Sequence, residues 1–292
     1  MRIAVTGQHG QVALSLAECG SRQGIDVVLL GRPALDLEKP NTIRDALAAA
    51  RPDVVVNAAA YTAVDKAESE PELAKLINGV AAGLVADVSR DVGVPVIQLS
   101  TDYVFDGTKS SHYLETDDVG PIGVYGASKL AGELAVAAAN PRHVILRTAW
   151  VYSPFGHNFV KTMLRLAATR DELSVVADQQ GCPTYAPDIA EAVIAIALRL
   201  TQRTDETHFG IFNLSGSGEA TWAEFAEEIF RLSALRGGPA PRVRRIATKD
   251  YPTPARRPGN SRLDGAKLYR IYGLRLPDWR ESLAQCMKRL QA

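Results

Sequence analysis

The sequence predicts a doubly wound α/β protein: a parallel sheet covered by helices on both faces, with a smaller α/β lobe at its C-terminal side. Short, almost wholly apolar runs rich in β-branched residues alternate through the first half of the chain with Ala/Leu/Glu-rich stretches of helical period. Strands without a polar face belong to a sheet buried on both sides, and strand–helix–strand repetition makes that sheet parallel. Two glycines stand directly after the first such run, in "VTGQHGQVA", where a strand hands over to a helix.

Taken in order, strands are expected at "RIAVT" (2–6), "DVVLL" (26–30), "DVVVNA" (53–58), "PVIQLS" (95–100) and "HVILRT" (143–148), with helices over 11–20, 41–50, 71–92 and 125–139. Right-handed crossovers then put any ligand at the carboxyl ends of the strands. After residue 150 the alternation breaks. Helices are expected over 157–171 and over "DIAEAVIAIALRL" (188–200), the second apolar enough to rejoin the sheet. "IFNLSGSGEATWAEFAEEIF" reads as a strand, a Gly/Ser turn and a helix, with Thr221 as N-cap and Glu224 three residues on. The three prolines of "YPTPARRPGNSRL" (251–263) favour an extended path, and a last helix is expected near 278–290. The expected division is a dinucleotide-binding domain over 1–150, rejoined by 187–212, and a smaller lobe made of 151–186 and 213–292.

A chain of 292 residues can bury a sizeable core. Lys+Arg and Asp+Glu number 33 each, so the whole protein carries no field that would draw nucleic acid or an anionic membrane. "RVRR" (242–245) accordingly reads as a solvated face. Cys19, Cys182 and Cys286 are far apart and read as reduced thiols. No histidine pair has ligand spacing, and no metal is expected. The longest apolar runs, such as "AVIAIAL" (192–198), are too short to cross a bilayer, and the N-terminus turns glycine-rich after six residues, too soon for a signal peptide. A cytoplasmic protein is expected.

Gly7 and Gly10, with Ala13 as a third small residue, suit a Rossmann-type turn in which backbone N–H groups meet a pyrophosphate at a helix N-terminus. An NAD-specific site places an acid at the end of the second strand; here that place holds Leu30 and Gly31, followed by Arg32. A guanidinium suits a 2′-phosphate, which favours NADPH with NADH as the alternative; otherwise Arg32 is a solvated loop residue. Tyr125 and Lys129, four apart in "VYGASKLAGE", share a helix face. A free phenol titrates near pH ~10, and a neighbouring ammonium brings it toward working pH, which suits a general acid. On its own such a pair is common by chance and reads as a surface pair. Thr101, at the carboxyl end of the fourth strand in "LSTDYVFDG", supplies a hydroxyl that can bond a substrate carbonyl beside Tyr125.

Glycine loop, strand-end threonine and Tyr-x-x-x-Lys, in that order, resemble the extended short-chain dehydrogenase/reductases that modify nucleotide sugars. Within them the chain is most similar to the dTDP-4-dehydrorhamnose reductase family, through "TGQHGQV", "RPDVVVNAAAYTAVDKAESEPE", "LSTDYVFDG", "VYGASKLAGE", "RTAWVY", "KTMLRLA", "DQQGCPT", "YPTPARRPGNSRL" and "LPDW". The resemblance implies Thr101, Tyr125 and Lys129 as the catalytic trio, and Gly10, Gln11 and Val12 as pyrophosphate contacts. It implies Asp36 and Leu37 on the adenosine side, Ala60, Tyr61 and Thr62 as the cofactor wall after the third strand, and Asp102 and Trp150 in the sugar-nucleotide site. The implied reaction is reduction of the 4-keto group of dTDP-4-dehydro-β-L-rhamnose by NADPH or NADH, with Tyr125 protonating the oxygen. It leaves room for a homodimer and none for nucleic acid or a membrane.

Arg257, with Arg256 and Arg262, can meet the substrate diphosphate or serve the fold. Two departures stand out. Members whose dimer is bridged by magnesium carry a glutamate in the first helix where this chain has Ser15, and the family's acid at the end of strand two is replaced by Leu30. Dehydratases of the superfamily need Asp-Glu directly after the strand-four threonine, whereas Asp102 is followed here by Tyr103. A non-catalytic relative, the regulatory subunit of methionine adenosyltransferase, would have no use for Thr101, Tyr125 and Lys129 together. His157 reads as a loop residue and Trp222 as packing for the small lobe.

Overall fold

The computed structural model describes residues 1–202 and 205–291. Its centre is a six-stranded parallel sheet built from β1 (Arg2–Thr6), β2 (Asp26–Leu30), β3 (Val54–Asn57), β4 (Val96–Thr101), β5 (His143–Thr148) and the strand Gly210–Asn213. The spatial order is Gly210–Asn213, β5, β4, β3, β1, β2. Alternate residues of these apolar runs feed two cores. Ile3, Val5 and Ile97 pack with Leu16 of helix α1 (Gln11–Gln23) and with Ile189 and Val193 of the helix Ala186–Leu200. Ala4, Val55 and Ile145 face the other way, against Ile43 and Leu47 of helix α2 (Asn41–Ala50) and Val85 of the helix Ala81–Asp91. Burial on both faces is why the runs lack a polar phase.

The stretch expected as one helix over 71–92 is helical over 71–91, but a π-helical turn, Leu76–Val80, interrupts it. The turn stands against Gly132, where a Cβ would lie 2.0 Å from the Asn78 carbonyl oxygen. Only glycine lets the helix Val124–Ala139 come this close. The helix expected over 157–171 is shorter, Phe159–Ala167; the Asn158 side chain sets its start by accepting from the Lys161 N–H. Thr221 and Glu224 form the expected reciprocal cap of the helix Trp222–Ala234. "RVRR" belongs to a strand, Arg242–Ile246, that pairs in parallel with Glu172–Val176; its arginines stay exposed, Arg242 bonding Glu172 and Arg245 bonding Glu227. The helix Ala266–Tyr272 was also unforeseen. A third core gathers Tyr152, Phe225, Trp279 and Met287, all from the chain after β5.

One charged pair is sealed inside. Glu133 and Arg147 are each about 2% exposed, with Arg147 Nη2 donating to Glu133 Oε2 at 2.7 Å and Nε to Oε1 at 2.9 Å. Ser100 on β4 also donates to Glu133. The pair therefore ties the ends of β4 and β5 to the helix Val124–Ala139. Among the described residues no helix is long and apolar enough to cross a membrane.

Candidate active site

Two adjoining cavities run along the carboxyl edge of the sheet, of about 730 and 280 Å³, sharing Gly7, His9 and Ala60 in their walls. The glycine loop forms their floor. Gly7 has φ 97°, a conformation that strains any residue with a Cβ, and its N–H donates to the Leu30 carbonyl at 2.6 Å. Gly10 caps α1 without a side-chain partner, and a Cβ there would meet nothing within 4 Å. The first-turn amides of α1 thus border open space, an arrangement that suits a phosphate. Gln11 offers its backbone only. Its side chain accepts from Ser153 Oγ at 2.8 Å and Asn158 Nδ2 at 3.0 Å, tying α1 to the segment after β5. Val12 is both core and cavity wall. Ser15 is buried, its hydroxyl donating to the Gln11 carbonyl at 2.8 Å.

The smaller cavity is lined by Leu30, Gly31, Arg32, Asp36 and Leu37, with Ala60 between the two. Arg32, whose side chain is 65% exposed, bonds Asp36 at 3.0 Å and also Glu38, so its guanidinium stands at the rim already partnered by two carboxylates. Thr62 lines the larger cavity. Tyr61 turns its hydroxyl to Glu70 at 2.7 Å, while its N–H is held by Asn78 Oδ1 at 2.8 Å; neither cavity is lined by it.

Thr101, Tyr125 and Lys129 all border the larger cavity. Thr101 closes β4, opposite Thr148 on β5, and its hydroxyl accepts from the Tyr103 N–H at 3.2 Å and donates to Asp102 Oδ1 at 3.0 Å. Tyr125 lies in the first turn of the helix Val124–Ala139. That turn is pressed onto the Asp102–Val104 turn because Gly126 has no Cβ, which would stand 2.1 Å from the Tyr103 carbonyl oxygen. The Tyr125 ring meets the Tyr103 ring edge-on, with centroids 5.5 Å apart. Lys129 is buried and donates to the Leu99 carbonyl at 2.7 Å.

The electrostatics depart from expectation in one respect. Burial, and then the Asp102 charge, push the Tyr125 phenol up to about 12, against an opposing hydrogen bond with Thr101; Lys129 is not among the groups that lower it. The phenol is therefore held protonated at neutral pH, the form a proton donor needs. Burial takes Lys129 down to about 8, opposed by Glu133, so its charge is lost as pH rises through that value. Since kcat/KM reports ionisations of the free enzyme, it is expected to fall above pH about 8; a profile flat through that region would detach Lys129 from catalysis.

Burial also raises the Asp102 carboxyl to about 6, against hydrogen bonds from Ser261 and Thr101, and its Oδ2 has no partner among the described residues. Trp150 lines the cavity with φ 50°, stacked on Trp222. Trp222, His157 and Thr148, none of them anticipated as site residues, share the wall. Thr148 had a signal, since "RTAWVY" ends strand five as Thr101 ends strand four. Arg257 borders neither cavity; it is held by Asp65 at 2.9 Å and by Thr253 at 2.8 Å. Nor does Arg256 line them, and Arg262 is spent on Glu219, Asn260 and the Ser110 carbonyl.

The arrangement provides an anion-binding turn, a long cleft and two hydroxyls beside a buried ammonium, a set suited to a dinucleotide and a carbonyl. The family model described as RmlD substrate binding domain matches residues 1–292. A dTDP-4-dehydrorhamnose reductase of Sinorhizobium fredii is 55% identical across 97% of this chain and 95% of its own. That of Escherichia coli K12 is 42% identical, covering 99% of this chain and 98% of its own. Among solved structures, a dTDP-4-dehydrorhamnose reductase of Clostridium acetobutylicum gives a TM-score of 0.93 at 37% identity, covering 100% of both chains. One from Bacillus anthracis, in complex with NADP, gives 0.91 at 35% identity, covering 99% of both.

Proposed function

Because this chain belongs to the RmlD substrate binding domain family, we propose that it is the reductase that converts the 4-keto group of dTDP-4-dehydro-β-L-rhamnose to an alcohol, yielding dTDP-L-rhamnose. The observation that carries this is the meeting of Thr101, Tyr125 and Lys129 in one cleft that continues past the glycine loop. NADPH is the favoured cofactor and NADH the alternative; when bound, the reduced nicotinamide supplies the hydride that forms the new C–H bond at sugar C4. Tyr125 gives its phenolic proton to the carbonyl oxygen, so hydride and proton together complete the alcohol. Thr101 orients that oxygen with its hydroxyl, and Lys129 places a positive charge under the site. Gly7, Gly10 and the α1 amides, with Gln11 and Val12, hold the pyrophosphate; Asp36, Leu37 and Ala60 border the adenosine side.

The same reading assigns 1–150 with 187–212 to the cofactor domain, and 151–186 with 213–292 to the substrate lobe. It takes the protein to be cytoplasmic and the assembly to look for to be a homodimer. Arg257 enters as a diphosphate ligand only by exchanging Asp65 for the substrate.

Incubation with dTDP-4-dehydrorhamnose is expected to oxidise one equivalent of NADPH for each sugar reduced. Turnover of the sugar without net oxidation would instead indicate an epimerase, and no turnover a cofactor-binding partner protein. For the cofactor, Arg32→Ala is expected to weaken NADPH binding and spare NADH in a fluorescence titration; equal losses would remove the 2′-phosphate contact.

A further inference from the structure

Trp150 is one of two non-glycine residues with positive φ among the described residues, at 50°. Such a conformation persists only where the surroundings over-determine it, and it clusters at sites of function. Three residues from two segments, 180–184 and the helix Trp222–Ala234, converge on it. The Thr184 N–H donates to the Trp150 carbonyl at 3.2 Å. Gly181 lies against the indole so closely that a Cβ would stand 2.3 Å from Cε2. The Trp222 ring stacks on it, with centroids 3.5 Å apart and planes 10° from parallel.

Trp222 is itself fixed at both ends. It opens a helix whose N-terminus is locked by the Thr221–Glu224 cap, and its Nε1–H donates to Gln179 Oε1 at 3.2 Å. Gln179 in turn donates to Thr248 Oγ1 at 3.0 Å. Trp222 is only half-buried, and with Trp150 it faces the cavity that holds Thr101 and Tyr125.

We propose that Trp222 is a positioning residue for substrate: through the stack it fixes the Trp150 indole as an apolar wall beside Thr101 and Tyr125, against which the C–H face of the deoxysugar packs. The face of an indole offers the sugar apolar carbon, its one donor, Nε1–H, lying at the ring edge, so the keto oxygen packed over that face is left to Thr101 and Tyr125. The inference deepens the reductase reading and rests on it.

Full-length Trp222→Ala, Trp222→Phe and Gly181→Ala test it through two different neighbours of Trp150. Trp222→Ala is expected to raise KM for dTDP-4-dehydrorhamnose about tenfold, a usual effect of truncating an aromatic anchor. The change in kcat should be much smaller, NADPH affinity should hold, and Trp222→Phe should recover most of the loss. Gly181→Ala is expected to raise the same KM by displacing Trp150. The circular-dichroism couplet of the stacked indoles should disappear in both Trp222 variants. A wild-type KM in both Trp222→Ala and Gly181→Ala, with only a lower Tm, would make Trp222 a packing residue and overturn the inference. If the wild type itself fails to reduce the keto-sugar, the reductase reading falls separately. Calorimetric binding of dTDP-L-rhamnose then still decides the wall, since equal Kd in wild type and variants overturns it.

Discussion

Tyr125→Phe is expected to lower kcat about 10²–10⁴-fold, the range for removing a general acid, while NADPH binds as before. The variant isolates the proton. Phenylalanine keeps the ring that meets Tyr103 edge-on, and the turn around Gly126 is untouched. The hydroxyl that is lost is the one held protonated by burial, so the substitution removes no charge at neutral pH. Thermal unfolding and an NADPH titration measured alongside should match the wild type. Turnover close to wild type would remove Tyr125 from the chemistry.

The second large effect concerns the fold beneath the site. Glu133→Gln leaves the Arg147 guanidinium buried without a counter-charge, and removal of one partner of a sealed ion pair costs about 3–5 kcal/mol. Arg147 already has one buried Nη1 without a partner among the described residues, and its guanidinium rests 4.9 Å from the Phe105 ring centroid. Among the described residues its side chain bonds no acceptor other than Glu133. Urea unfolding should show a lower midpoint with the slope unchanged. Replacing both partners with apolar residues of similar volume should restore most of that loss, because the pair's own desolvation is removed with it. A loss under about 1 kcal/mol in the single variant would mean that water reaches the pair.

The five strands of the first half were legible because each is a short, largely apolar run rich in β-branched residues set between stretches of helical period, whereas the equally apolar "AVIAIAL" (192–198) lies in a long helical stretch. The glycine loop, Thr101 and the Tyr125/Lys129 pair were legible because backbone geometry fixes their spacing. What was hidden depends on contacts between distant segments. The π-helical turn at 76–80 is set by Gly132, and the pairing of Glu172–Val176 with Arg242–Ile246 joins segments 70 residues apart. Arg257 looks free in "ARRPGN", yet its carboxylate, Asp65, lies 192 residues away. Trp222 looked like a core aromatic because no periodicity reveals that its neighbour in the stack, Trp150, sits in the left-handed region. The burial that raises the Tyr125 phenol is hidden for the same reason: i,i+4 spacing places Lys129 on the same face but does not show that its ammonium bonds the Leu99 carbonyl.

The most direct measurement follows one atom. With dTDP-4-dehydrorhamnose and NADPH deuterated at the transferring position of the nicotinamide C4, the wild type should place a single deuterium on C4 of the product sugar, and Tyr125→Phe should do so at the reduced rate given above. Deuterium at another carbon, or a product sugar carrying none, would contradict hydride delivery to a carbonyl held by Thr101 and Tyr125.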